Sequence, residues 1–216
     1  PLAQETATIV NTGLNTSATI TWNANILYSG SIDMSARTNA MTLATGTASL
    51  TIYGNWTNGS GTTMSGTGTL TYIGLGTTPT QTITPNGRSF TTSMAVDSPG
   101  GTVALGGAWT GGNIVIYNGT FATNNFGVTS SGVLQSNLTN TTRGVNLGTS
   151  TCTFAAGLLF PAATTLNLTV TAGSSSITIS NYNASATFGP STWGDVFYTS
   201  TSGSGNARNL PSGTPT

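Results

Sequence analysis

The sequence predicts an all-β chain wound as a solenoid of short, stacked, parallel strands. Three observations lead there: polar and apolar residues alternate in many short runs, short segments recur along the chain, and charge is almost absent.

The alternating runs are ATITW (18–22), ASLTIY (48–53), TLTYI (69–73), QTIT (81–84), TVAL (102–105), NIVIY (113–117), TCTF (151–154), LNLTVT (166–171) and SITIS (176–180). Period-two alternation puts successive side chains on opposite faces of a strand. The β-branched Thr, Val and Ile that fill these runs fit a pleated surface, because their stiff side chains lose little freedom there. Gly, Asn and Pro separate the runs and supply turns and positive φ angles.

Two all-β architectures compete for such a pattern. Asn58-Gly59, Asn86-Gly87 and Asn118-Gly119 are hairpin signals and favour an antiparallel β-sandwich of repeats. Recurrence favours the solenoid. GTASLTIYGNWTNG (46–59) is echoed by GTVALGGAWTGG (101–112), which aligns Trp56 with Trp109, and the Gly-Thr opening returns in GTGTL (66–70) and GTSTCTF (148–154). A coil of such a stack turns two or three apolar side chains inward and is closed by its neighbours.

Charge decides further. Charged residues are 4% of 216, against about 25% in an ordinary soluble domain. Four Arg balance three Asp and one Glu, and there is no His. In a stack, like residues sit about 4.8 Å above one another, so a column of Lys or Glu would repel itself while Thr and Asn columns can hydrogen-bond. The same deficit argues against nucleic acid as a partner, since phosphates demand a basic field. No apolar run approaches the roughly 20 residues of a membrane-spanning helix, so no membrane insertion is expected.

The chain divides into an N-terminal β junction or cap (1–44), a solenoid repeat region (45–200) and an irregular tail or linker (201–216). It opens on Pro1 rather than Met, which suggests a processed product or part of something longer.

Candidate chemistry is sparse. Polysaccharide cleavage needs two carboxyl groups about 5–9.5 Å apart, and only Glu5, Asp33, Asp97 and Asp195 are available. Asp97, in VDSPGG, is expected to cap a turn, and Asp33 to pair locally with Arg37. Trp193 and Asp195 form the candidate glycan contact, an aromatic face beside a carboxylate. Trp56 and Trp109 are expected to pack internally. A Ser or Cys nucleophile would have no His or Lys as its base. Cys152 shares its strand phase with Phe154 and should be a buried thiol. No catalytic residue, metal or cofactor is expected.

The order QTITPNG, VDSPGGTV, GTFATNNFGVTSSG, NTTRGVNLG across residues 81–154 resembles Thr/Ser/Asn/Gly-rich repeat proteins of bacteriophages, particularly aquatic phages and cyanophages. These are of the tail-fibre or virion-surface type. The resemblance implies a non-enzymatic virion structural protein at the particle surface, outside the cell. Its implied partners are further copies of itself as a homotrimer, other virion proteins and host surface glycans. Alternative readings are a secreted bacterial adhesin or matrix solenoid, a polysaccharide depolymerase and an ice-binding protein.

Overall fold

The computed structural model describes residues 5–22, 26–74, 80–136, 138, 140–160, 167–180, 185–187 and 195–198. These wind into a three-faced parallel β-solenoid of about seven turns. The first coil is β1 (Thr6–Thr8), β2 (Ala18–Thr21) and β3 (Ile26–Ser29). The second is β4 (Ser31–Asp33), β5 (Met41–Ala44) and β6 (Ser49–Ile52), and the third β7 (Trp56–Thr57), β8 (Thr62–Ser65) and β9 (Thr69–Tyr72). The fourth opens on β10 (Thr80–Thr84), and β11 (Ser93–Leu105) then runs round a corner from its third face into the first face of the fifth. β12 (Trp109–Gly111) follows, and β13 (Ile114–Ala122) turns the next such corner. The remaining strands are β14 (Val128–Ser130), β15 (Val133–Gln135), β16 (Arg143–Asn146), β17 (Thr151–Phe154) and β18 (Gly157–Leu159). The last are β19 (Leu168–Thr171), β20 (Ser176–Ile179), β21 (Ser185–Thr187) and β22 (Asp195–Tyr198).

Every strand lies on its counterpart one coil away, and all pairings among the described residues are parallel. The antiparallel sandwich is thereby excluded. The strands β1 to β5, within residues 1–44, stack in the same columns as those that follow.

The Asn-Gly pairs misled because a solenoid corner needs the same backbone as a hairpin turn. Asn86 (φ 52°) and Gly87 (φ 71°) are both left-handed, a conformation that costs Asn and Gly little. They turn the chain onto the next face rather than back along its neighbour. Asn has a second use at the corners. Its side-chain carbonyl accepts a backbone N–H from the coil above: Asn55 from Thr82 at 2.8 Å, Asn113 from Val133 at 2.9 Å, Asn125 from Thr149 at 2.9 Å. Each such bond satisfies a donor that the strand ladder has left behind at the bend. Close approach also demands glycine: a Cβ on Gly59 would lie 2.2 Å from the carbonyl oxygens of Met34 and Arg37.

The core is a set of vertical columns. On the third face Leu50, Leu70, Met94, Ile114, Leu134 and Leu158 lie in register, each on the next. Beside them stand Ile52, Tyr72, Val96 and Ile116. The first face contributes Val103, Phe121, Val145 and Val170. The second contributes Val128, Cys152 and Ile177. All but the half-buried Val170 are buried, and full burial of one such aliphatic side chain is worth about 1.5–3 kcal/mol. Alternation in the sequence therefore translates directly into an inner and an outer surface.

Trp56 and Trp109 are both buried, but they are not equivalent. Trp56 sits on the first face between Ile32 and Ile83, whereas Trp109 sits on the second beneath Val128. The sequence echo aligned segments of different phase. What joins them is a chain of rings through the core: Trp22 to Trp56 at 6.3 Å, Trp56 to Phe90 at 5.9 Å, and Phe90 to Trp109 at 6.4 Å. These separations suit the edge-on and offset packing that aromatic quadrupoles prefer. The Trp56 indole N–H donates to Asn58 Oδ1 at 2.8 Å, so its polar edge is satisfied in the interior.

Cys152 is fully buried, and burial pushes its thiol up to about 12. In the unfolded chain a thiol ionises near 8.5. Above that pH the unfolded state binds fewer protons than the folded one, so stability present at neutral pH falls progressively between roughly pH 8.5 and 12. The buried Tyr72 phenol, also pushed up by burial, adds to the same trend. We expect the pH dependence of denaturant midpoints to flatten over roughly pH 9–11 in Cys152→Ala, and native Cys152 to resist thiol reagents at pH 7. An unchanged slope with rapid native labelling would contradict the inward placement.

Candidate functional site

The outer surface of the second face carries a regular column of hydroxyls. Strand alternation that turns Val128, Cys152 and Ile177 inward turns Thr110, Thr129, Thr153 and Thr178 outward, each directly over the next. Rungs are about 4.8 Å apart, so the hydroxyls form an evenly spaced column. Thr110 and Thr129 are exposed, and Thr153 and Thr178 half-buried. On the earlier coils Thr19, Thr42 and Thr63 make a similar column.

These outward hydroxyls differ from the inward ones. The buried hydroxyls of Thr45, Thr62, Thr123, Ser130 and Ser136 donate to backbone carbonyls at 2.7–3.4 Å, and Ser150 donates to Thr123 Oγ1 at 2.6 Å. Thr110, Thr129 and Thr153 have no such partner and keep their donor and acceptor capacity for solvent or a ligand. An open trough of about 510 Å³ runs along them, bounded by Thr91, Ser131 and Ser180 and floored by Gly111 and Ala155. It offers neutral hydroxyls above short apolar patches. The column could have been read from TCTF and SITIS, but the registration of Thr110, Thr129 and Thr153 depends on coil lengths that the sequence does not display.

A second cavity, of about 250 Å³, opens at the first coil between Ile9, Trp22, Ile32, Leu43 and Leu50. It is almost wholly apolar and lies at the first-coil end of the described core.

The sequence-derived site residues scatter. Trp193 lies outside the described residues. Asp195 opens β22 and pairs in register with Ser176. Asp33 ends a first-face strand of the second coil, and Asp97 a third-face segment of the fourth. Asp33 and Asp97 are two rungs apart, about 9.6 Å along the axis before the sideways offset between their different corners is added, and Asp195 is further still. That is outside the separation for a paired-carboxylate hydrolysis. Among the described residues no three of His, Cys, Asp and Glu come together.

Two expectations about charged residues are corrected. Asp33 does not pair with Arg37. Its Oδ1 accepts the Ser35 N–H at 2.9 Å, and hydrogen bonding from Ser35 holds its carboxyl below the usual range. Arg37 is fully buried and donates to the carbonyls of Val10, Leu14, Asn15 and Ala40 at 3.0–3.4 Å. It ties the long first-coil corner to the second coil where regular ladder bonds are missing. Nor does Asp97 cap a turn: it lies in β11 opposite Asn118, between two register shifts, and its side chain makes no hydrogen bond among the described residues. Arg143 is a second buried guanidinium, donating to Thr141 O at 3.0 Å and Ser136 Oγ at 2.8 Å, with its pKa lowered by burial. Neither arginine's structural role was visible in sequence, because the acceptors they serve lie in irregular corners.

No family model, curated protein or solved structure matches the chain. The fold and surface define a class, a nearly uncharged parallel β-solenoid with a hydroxyl-bearing face.

Arg37→Met should cost about 1.5–3 kcal/mol, since it removes the charged donor from four part-buried carbonyls, two of which, Val10 O and Leu14 O, would have no other donor among the described residues. Asp97→Asn should fall within about 0.5 kcal/mol of the parent. Denaturant unfolding of both variants checks the pair. Equal effects would contradict the assignment of these roles.

Proposed function

We propose that this chain is a non-enzymatic bacteriophage virion protein, a fibre segment or surface decoration, whose second face holds neutral host glycans. The observation that carries the reading is the column of unpartnered hydroxyls at Thr110, Thr129 and Thr153 over an open trough. Hydroxyl and backbone groups bind sugars weakly at each contact, and repetition along a stack converts weak contacts into avidity. A surface with so few charges is little affected by salt, which suits an extracellular particle. The resemblance of residues 81–154 to phage repeat proteins favours a virion over a cell envelope. Assembly as a homotrimer with other virion proteins follows the same resemblance, and a solenoid with only eight charged residues has little to discourage lateral pairing.

A second reading has a specific observation behind it. Coil lengths vary, yet the second face keeps its register through β12, β14, β17 and β20 without a shift. A Thr column in unbroken register is one requirement of an ice-binding surface, and a thermal-hysteresis assay distinguishes it.

Mass spectrometry of purified particles from the source is expected to find this chain. Its absence there, with recovery from host envelope fractions, would favour the adhesin reading. On the intact protein, Thr129→Val keeps the shape and removes one hydroxyl. It should weaken retention on host surface polysaccharide several-fold, because a lost hydrogen bond of about 1 kcal/mol is multiplied by repeated contacts. Unchanged retention would place the contact elsewhere.

A further inference from the structure

The three Asn-Gly pairs share a sequence but not an environment. Gly after Asn leaves the following peptide nitrogen unhindered, so each pair is chemically able to cyclise. Whether it does depends on three local conditions. The nitrogen must be free, the Asn side chain must be able to swing onto it, and water must reach the product.

Asn86-Gly87 meets all three. Both residues are exposed at a corner. Among the described residues the Gly87 N–H has no hydrogen-bond partner, although its neighbour Arg88 N–H donates to Pro85 O at 3.0 Å. A Cβ built on Gly87 would find nothing within 4 Å. The Asn86 side chain is held by a single bond, Nδ2 to Asn58 O, at 3.3 Å.

The other two pairs are closed. Asn58 is fully buried, its Oδ1 accepts the Trp56 indole N–H, and Gly59 is wedged against the second coil's carbonyls. Gly119 spends its N–H on Thr142 O at 2.9 Å, and a Cβ there would lie 2.1 Å from Ser98 O. Asn118 lies in a paired strand.

We propose that Asn86 is a site of spontaneous deamidation in the folded protein, and that Asn58 and Asn118 are protected by the fold. The Gly87 nitrogen gives up its proton and attacks Asn86 Cγ. The new N–Cγ bond forms as the Cγ–Nδ2 bond breaks, and ammonia leaves. Water then opens the resulting succinimide at either carbonyl, leaving aspartate or isoaspartate. No reactant other than water is consumed.

The consequence is electrostatic and local. A chain of zero net charge acquires a negative charge at a coil corner. The donor to Asn58 O becomes a carboxylate, which repels that carbonyl. The charge arises two residues from Arg88, whose Nε is buried without a partner. Conversion to isoaspartate also lengthens the backbone at the corner. The stack therefore carries an age-dependent mark at one defined position.

The test is peptide mapping by mass spectrometry after the intact protein is held in warm, mildly alkaline buffer, with isoelectric focusing in parallel. Position 86 should convert to acid in the native protein at least tenfold faster than 58 or 118, a factor equivalent to about 1.4 kcal/mol of opening free energy. In guanidinium the three rates should converge. Asn86→Gln, which would need a larger ring, should abolish the native acidic shift. Gly87→Ala is the less clean control because of its positive φ. A stable amide at position 86 in the native protein, or native conversion of 58 or 118 at a matching rate, would overturn the proposal.

Discussion

Parallel pairing of each coil with the next, in register, is the constraint on which everything else rests. It fixes neighbours along the axis at about 4.8 Å and puts the same face over the same face. Inward positions are then mostly apolar, as in the column from Leu50 to Leu158, and the polar exceptions, such as Gln81 and Ser130, bond to backbone carbonyls. Outward positions must tolerate a copy of themselves directly above. Thr does so, and charged side chains do not. The near-absence of charge and the exposed hydroxyl column are two results of this one requirement.

Corners absorb what the faces refuse. Hydrogen bonds between adjacent coils span from 18 residues, Ser130 to Gly112, up to 28, Asn86 to Asn58. Such variation leaves strand register intact because extra residues are spent at bends. There the backbone loses its ladder partners, and side chains replace them. Asn carbonyls serve short bends. Arg37 serves the long corner of the first coil with a single buried cation on four carbonyls, a stronger bond type than a neutral pair offers. A corner that lacks such bracing, like that of Asn86-Gly87, stays open to water.

The strands were largely legible in the sequence. TCTF at 151–154 coincides with β17, and SITIS predicts β20 to within one residue. Alternation reports a face directly, so the inward placement of Cys152 and Phe154 followed from phase alone. Direction and partner were not legible in the same way. Asn-Gly looks alike at a hairpin and at a coil corner, and only the parallel pairings separate them. Trp56 and Trp109 were aligned by a local echo, yet a repeat with uneven coils brings similar words to different faces. The candidate site was legible in kind, as hydroxyl rows, but not in place. Its registration depends on how many residues each corner consumes. Asp97 was misread because composition suits it to a turn, while the pairing of β11 with β13 draws it into a strand.

The central claim, register between successive coils, is open to a direct cross-linking measurement. Thr129 and Thr153 are in-register neighbours, and Thr178 lies one rung further. Introduced cysteines bridge when their Cα atoms are about 4.4–6.8 Å apart, which one rung satisfies and two do not. In a Cys152→Ala background, Thr129→Cys with Thr153→Cys should form an intramolecular disulfide in high yield under mild oxidation. Thr129→Cys with Thr178→Cys should not. Failure of the first pair in folded protein, or equal bridging by both, would contradict the parallel in-register stack.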